Sequence, residues 1–254
     1  MNFLFVAVRS ELGGSVQWSP VGRLDFDGEV YSFLYTKGVE KIIGFRPFDG
    51  MLDLAKRYES NELFPVFFNR LMPKRRAEYK DFWSWSGFNM EPDPIALLAV
   101  TEGIRQTDAI ELFAPPIQNA DGFLSSKFFL HGLSRMTEFA EQHVERLRPN
   151  DPLKLVLEPQ NVFDPNAIGL YGVEVSGVKL GYVPRYLARD LNRIIEQCGL
   201  ENVWITVEKV NSDAPLQQRL LCRLKACWPP GFVPCSDIEF SPINSDFALA
   251  VSEA

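Results

Sequence analysis

Polar side chains able to meet a ligand crowd one short stretch of this chain: Glu158-Pro159-Gln160-Asn161-Val162-Phe163-Asp164-Pro165-Asn166-Ala167-Ile168. An alternating apolar run, Leu153 to Leu157, precedes it, and Gly181-Tyr182-Val183-Pro184-Arg185 follows. A carboxylate beside an aromatic ring can accept a hydrogen bond from a hydroxyl, and the ring can stack on a base. An arginine at the next turn can meet a phosphate. The same residues have a plainer use. Asn161, Asp164 and Asn166 all bond backbone in turns, Asp164-Pro165 is itself a turn signal, and Phe163 can pack in a core. Both uses stand open for Asp164, Phe163 and Asn161, while Asn166 is expected to hold the elbow.

No nucleophile stands beside a base. His131 falls in a predicted strand and His143 in a polar connection, and neither has a recognisable partner. No H-E-x-x-H, phosphate-binding loop or G-x-S-x-G occurs. A nuclease using Asp164 with a metal lacks a second carboxylate near it in sequence. The cysteines, 198, 222, 227 and 235, are spaced poorly for zinc and read as reduced thiols. The chain is therefore expected not to be an enzyme, and to carry no cofactor or metal.

The elements that must position these groups can be read from periodicity. Leu153–Glu158 and Ala167–Tyr171 are predicted strands flanking the elbow, and Val173–Val183 is a hairpin with Ser176-Gly177 at its tip. Arg185–Gln197 is an amphipathic helix with Leu187, Leu191, Ile194 and Ile195 on one face. Phe128–Leu133, Val203–Glu208 and Arg219–Trp228 are further strands, and Thr137–Arg146 is a short helical or polar connection. Many strands with one or two helices fit a small, partly open barrel.

Before Pro115-Pro116 the pattern differs. Phe3–Arg9 is a strand, and Val21–Phe26 turns through Asp27-Gly28 into Glu29–Tyr35, a strong hairpin signal. Phe64, Phe67, Phe68 and Leu71 recur at helical spacing up to Met72-Pro73. A second helix runs from Glu78 to Trp85, capped by Gly87. Asp93-Pro94 starts a third, which Gly103 ends. Asp108–Phe113 closes as a strand. The expected organisation is a domain over 1–115, a linker over 116–125, a second domain over 126–229 and a partly ordered tail over 230–254. The fold class is α+β, a small sheet with packed helices followed by an OB-like barrel.

Bulk properties narrow the function. The net charge of −7 disfavours general duplex binding, in which phosphate neutralisation supplies most of the affinity. A compact pocket for one strand end needs few phosphate contacts and can rely on stacking. No apolar run approaches the roughly 18 residues of a membrane span, so no membrane partner is expected. The first nine residues read as a strand and not a signal peptide, which points to the cytoplasm. Lys74-Arg75-Arg76 with Lys80 is the densest basic run and reads as a solvated face.

The pattern E-P-x-N-x-[FY]-D-x-N-A-I, a strand, then G-Y-[VI]-P resembles the HIRAN domain over about residues 126–229. Phe128-Phe129-Leu130-His131-Gly132-Leu133-Ser134-Arg135 resembles that domain's first strand. The resemblance implies an OB-like shape and, as in the best understood member, capture of the 3′-hydroxyl end of single-stranded DNA. It implies that Asp164 sits by that hydroxyl; Arg135, Asn161, Phe163, Tyr182 and Arg185 are the further candidate nucleic-acid contacts, read from their own chemistry. The family's basic residue after the first strand lies one position earlier, at Ser134 here. Arg135-Met136 replaces an aromatic pair, which weakens stacking from that side.

Residues 1–115 resemble the N-terminal accessory subdomain of HipA-type toxin kinases, through Phe64, Phe67, Asn69, Leu71, Met72 and Pro73, then Pro94, Leu97, Leu98, Gly103 and Leu112. No kinase lobe follows. The first expectation is a non-catalytic protein binding single-stranded DNA or its 3′ end, with a protein partner at the N-terminal domain. The alternative is a regulatory partner of a separate HipA-type kinase in a toxin–antitoxin or defence system.

Overall fold

A computed structural model describes residues 3–12, 15–105, 107–173 and 177–247. The chain divides into two units, Met1–Arg76 with Asp93–Pro115 and Cys235–Ala254, and Ala77–Pro92 with Pro116–Pro234. Each is described by itself.

The first unit is built on an antiparallel sheet of β1 (Phe3–Leu12), β2 (Ser15–Phe26), β3 (Tyr31–Tyr35), β4 (Tyr58–Ser60) and β5 (Ile110–Phe113), in the order β4-β3-β2-β1-β5. The β2–β3 hairpin forms as its Asp-Gly signal predicts. Asp27 Oδ1 accepts from the amides of Glu29 (2.9 Å) and Val30 (2.8 Å) and closes the turn. Alternation sends Leu4 and Val6 into a core with Phe33, Phe48, Phe67 and Leu98. Phe5 points to the opposite face, where its ring meets Phe113 and Phe240.

Helix α1 is only Pro65–Phe68, shorter than its apolar spacing predicts. Beyond it, buried Arg70 turns back to the carbonyls of Val66, Gly103 and Ile110 and pairs with Asp108 at 2.7 Å. Those long-range bonds pin the chain where a helix would continue. Among the later helices, α2 (Tyr79–Trp85) ends at Gly87 and α3 (Pro94–Thr101) starts at Asp93, which caps the Ala96 amide at 2.9 Å. Glu102, with φ 58°, takes the left-handed C-terminal position of α3, one residue before the glycine expected there.

Two segments depart from a division in simple sequence order. Residues 77–92, α2 among them, group with the second unit, where Asn211 Nδ2 reaches Trp85 O at 3.0 Å and Lys209 Nζ reaches Ser84 O at 2.8 Å. Of the expected tail, the described residues from Cys235 on group with the first sheet. Phe240 packs on Phe5 with ring centroids 4.8 Å apart, and the Ile243 amide donates to Tyr35 O at 3.1 Å.

The second unit holds β6 (Ile117–Gln118), β7 (Phe123–Phe129), helix α4 (Glu138–Arg146), β8 (Pro152–Leu157), β9 (Ile168–Gly172), β10 (Lys179–Tyr182), helix α5 (Arg185–Cys198), β11 (Val203–Val210) and β12 (Leu220–Cys227). Sheet order is β10-β9-β8-β11-β12-β7-β6. The first strand starts five residues earlier than its apolar run suggests, because β7 pairs with β12 from Phe123↔Cys227 to Phe129↔Leu221. Strands β9 and β10 make the expected hairpin, with its Ser176 tip outside the described residues.

The expected barrel is not closed. β6 pairs with the N-terminal part of β7, and the chain beyond β7 is hydrogen-bonded to β10 as strand at one isolated bridge, His131↔Tyr182. That bridge has both bonds, at 3.0 and 2.9 Å. It needs Gly181, because a Cβ there would sit 2.3 Å from His131 O. Packing of Leu187, Leu191 and Ile194 buries one face of α5, as its periodicity predicts.

Candidate nucleic-acid interface

The elbow between β8 and β9 is held by its own side chains. Asn161 Oδ1 accepts from the amides of Phe163 (3.0 Å) and Asp164 (3.3 Å), and its Nδ2 donates to Glu158 Oε2 at 3.0 Å. Asp164 Oδ1 accepts from the Asn166 amide at 2.9 Å. These are the turn uses of Asn161 and Asp164. Asn166 holds the elbow through its backbone, whose carbonyl accepts from Asn192 Nδ2 on α5 at 2.9 Å.

Arg185, the first residue of α5, closes the elbow from the other side. Its Nε donates to Asp164 Oδ2 at 2.8 Å, and its Nη2 donates to Phe163 O at 2.7 Å. The elbow therefore presents its tip outward. Phe163 is 71% exposed, so its ring takes no part in the core. An exposed aromatic beside a guanidinium is a surface on which a planar, anionic ligand can rest.

A second cluster adjoins this one through Glu158. Lys179 Nζ donates to Glu158 Oε1 and, at 2.6 Å, to Tyr182 Oη, which lies 3.4 Å from Glu158 Oε2. Burial alone would raise the Glu158 carboxyl. The hydrogen bonds from Lys179 and Asn161, with the lysine charge and the Tyr182 hydroxyl, outweigh it and hold the carboxyl below its ordinary value. Burial acts against the Lys179 ammonium too, but the bonds to Glu158 and Tyr182 and their charges hold it above its ordinary value. Gly169 makes room for this cluster, since a Cβ there would lie 2.7 Å from Glu158 Oε1.

The structure thus brings Asn161, Phe163, Asp164 and Arg185 into direct contact and sets Tyr182 in the adjoining cluster. Arg135 is linked by backbone only. It ends a 3-10 turn, Leu133–Arg135, after the His131↔Tyr182 bridge, and its exposed side chain has no partner among the described residues. Glu158, Lys179 and Asn192 were missed from sequence. Glu158 stands at the head of the polar stretch and was legible there. Lys179 becomes its partner only through β8–β9–β10 pairing. Among the described residues, no group of three or more His, Cys, Asp or Glu side chains is placed to hold a metal, and no helix is long and apolar enough to cross a membrane.

Comparison with known proteins bears on the second unit. The family model described as the HIRAN domain matches residues 123–225, less than half of the chain. No curated protein matches. Two solved structures are similar over part of the chain. A protein from Lactobacillus plantarum is 20% identical over 41% of this chain and 97% of its own, with a TM-score of 0.32. The HIRAN domain of human HLTF is 18% identical over 42% of this chain and 81% of its own, with a TM-score of 0.30. The comparisons lend no support to the resemblance of residues 1–115 to the HipA accessory subdomain. What they identify is a segment of this chain, residues 123–225, that is similar to the HIRAN domain.

Proposed function

We propose that the second unit binds single-stranded DNA at its 3′ end, as a binding module without catalysis of its own. The observation that carries this reading is the outward Phe163 ring, 71% exposed, set beside the Asp164–Arg185 pair at 2.8 Å. A terminal base stacks on Phe163, an interaction worth about 1–3 kcal/mol in sites of this kind. Asp164 accepts from the 3′-hydroxyl, and the Arg185 guanidinium meets the last phosphate. Asn161 keeps the elbow in shape, while Tyr182 and Arg135 flank the strand. The match of residues 123–225 to the HIRAN domain supports the reading. The test is fluorescence anisotropy with a short DNA strand ending in a 3′-hydroxyl or a 3′-phosphate, at low and physiological salt. Wild type should prefer the hydroxyl, and Asp164→Asn should lose that preference. Equal binding of both ends by wild type refutes the assignment.

A further inference from the structure

The outer face of the second sheet carries one cross-strand row that alternates cation and ring. Lys179 on β10 is paired with Tyr171 on β9, and Tyr171 with Lys154 on β8. Strand β11 pairs with β8 at Ile205↔Leu153 and Thr206↔Pro152, and continuing that register sets Trp204 beside Lys154. Trp204 in turn is paired with Lys225 on β12. The period of two puts all five on the same side, since Leu153, Leu155, Leu170, Ile205, Leu224 and Ala226 point inward and are buried.

Lys154 and Lys225 are exposed, and Trp204 is 44% exposed. Lys225 Nζ lies 4.0 Å from the centre of the Phe123 ring, which extends the apolar surface beside Trp204. The row contains no acid. Among the described residues, Glu158 just after β8 and Glu208 on β11 are already matched, Glu158 by Lys179, and Glu208 by Lys127 and Arg223. In a chain of net charge −7, a cationic stripe with interleaved rings is a local reversal of sign.

We infer that this row is a track for single-stranded nucleic acid. Phosphates lie against Lys154 and Lys225, and a base stacks on Trp204. Rings accept any base and ammonium groups accept any backbone, so the track is sequence-tolerant. Strands lie about 4.8 Å apart, so the row runs ~19 Å from β10 to β12. Its β10 end is the Lys179–Glu158–Tyr182 cluster that adjoins the elbow. The inference rests on the 3′-end reading for its direction: a strand held at Phe163 continues over the row.

The experiment measures binding of oligothymidylates of about 4 and about 16 nucleotides, the range of site sizes known for folds of this kind. Each carries a 3′-hydroxyl or a 3′-phosphate. The proteins are full-length wild type, Trp204→Ala, and the double variant Lys154→Gln/Lys225→Gln, whose changes are confined to exposed side chains. The long strand should bind wild type more tightly than the short one. Trp204→Ala should lose about fivefold or more of that gain. The lysine variant should lower the slope of log affinity against log salt by about 1.4, at roughly 0.7 per phosphate released. Short-strand affinity and end preference should be unchanged in both. Variants that bind the long strand as wild type does, or a wild type with no gain from length, overturn the track and leave the end site standing. A long-strand gain that needs Trp204 and the lysines, without end preference, upholds the track and removes the 3′-end reading. Absence of binding to either strand overturns both.

Discussion

Asp164→Ala, Arg185→Ala and the double variant together measure what closes the elbow. The Asp164 and Arg185 side chains are 15% and 25% exposed, so their bond is neither a surface pair nor a buried one. Exposed ion pairs contribute about 0.2–1 kcal/mol, and hydrogen bonds to charged groups in drier settings about 1.5–3. The coupling energy expected between the two residues is therefore about 1–2 kcal/mol. Asp164→Ala also strips the acceptor from the Asn166 amide, so its total cost should reach about 2–3 kcal/mol. Asp164→Asn retains that acceptor at Oδ1 and should cost about 1 kcal/mol less than the alanine variant. The assay is urea unfolding followed by tryptophan fluorescence. Trp83, Trp85, Trp204 and Trp228 all lie in the second unit and only Trp18 in the first, so the signal follows the unit that contains the elbow. A coupling energy below about 0.5 kcal/mol, the ordinary scatter for independent sites, would refute the claim that this pair shapes the elbow.

Three further outcomes follow from the geometry. Glu158 is held below its ordinary value, so its contribution to stability is present above the usual glutamate range and is lost as pH falls through its folded value. Lys179 is held above its ordinary value, so its contribution is present at neutral pH and lost as pH rises through its folded value; Lys179→Met should flatten both arms of a stability–pH profile. In the first unit, burial pushes the Tyr35 phenol up to about 12 despite the hydrogen bond it accepts from the Phe48 amide. Stability there should decline as pH rises from about 10 toward that value. Tyr35→Phe should lessen the decline, leaving the share of Tyr31, whose phenol burial also raises, and cost about 1–3 kcal/mol by leaving the Phe48 amide and the Met51 carbonyl unmatched, measured by hydrogen exchange along β3. The Cys198 and Cys227 sulfurs are 2.8 Å apart, and the hydrogen bond that the Cys198 thiol donates to Cys227, together with partial burial, raises that thiol to about 11. Oxidised glutathione should accept two electrons from the pair, releasing two reduced glutathiones and leaving a Cys198–Cys227 disulfide, more quickly as pH rises. Non-reducing peptide maps that contain only mixed disulfides would count against it.

Much of the candidate site was legible because its bonds are local. The Asx turns at Asn161 and Asp164, the Asp27 turn and the Asp93 cap reach no further than three residues along the chain. Amphipathic α5 was equally plain, since a 3.6-residue period needs no knowledge of what the helix packs against. The exposure of Phe163 was not legible, because a phenylalanine beside a strand has the same pattern whether it packs inward or not.

The sequence by itself therefore determined the strand–elbow–strand–helix order and the polar groups at the elbow. Only the tertiary structure decided which distant groups meet there. Arg185 lies 21 residues from Asp164, and Lys179 lies 21 residues from Glu158. Their contacts depend on β8, β9 and β10 pairing in one register, and a slip of one residue would turn Lys179 and Tyr171 inward. The grouping of residues 77–92 with the second unit, and of the C-terminal segment with the first sheet, has the same origin. Each follows from apolar and hydrogen-bonding surface that exists only once the sheets have formed, and no local period encodes it.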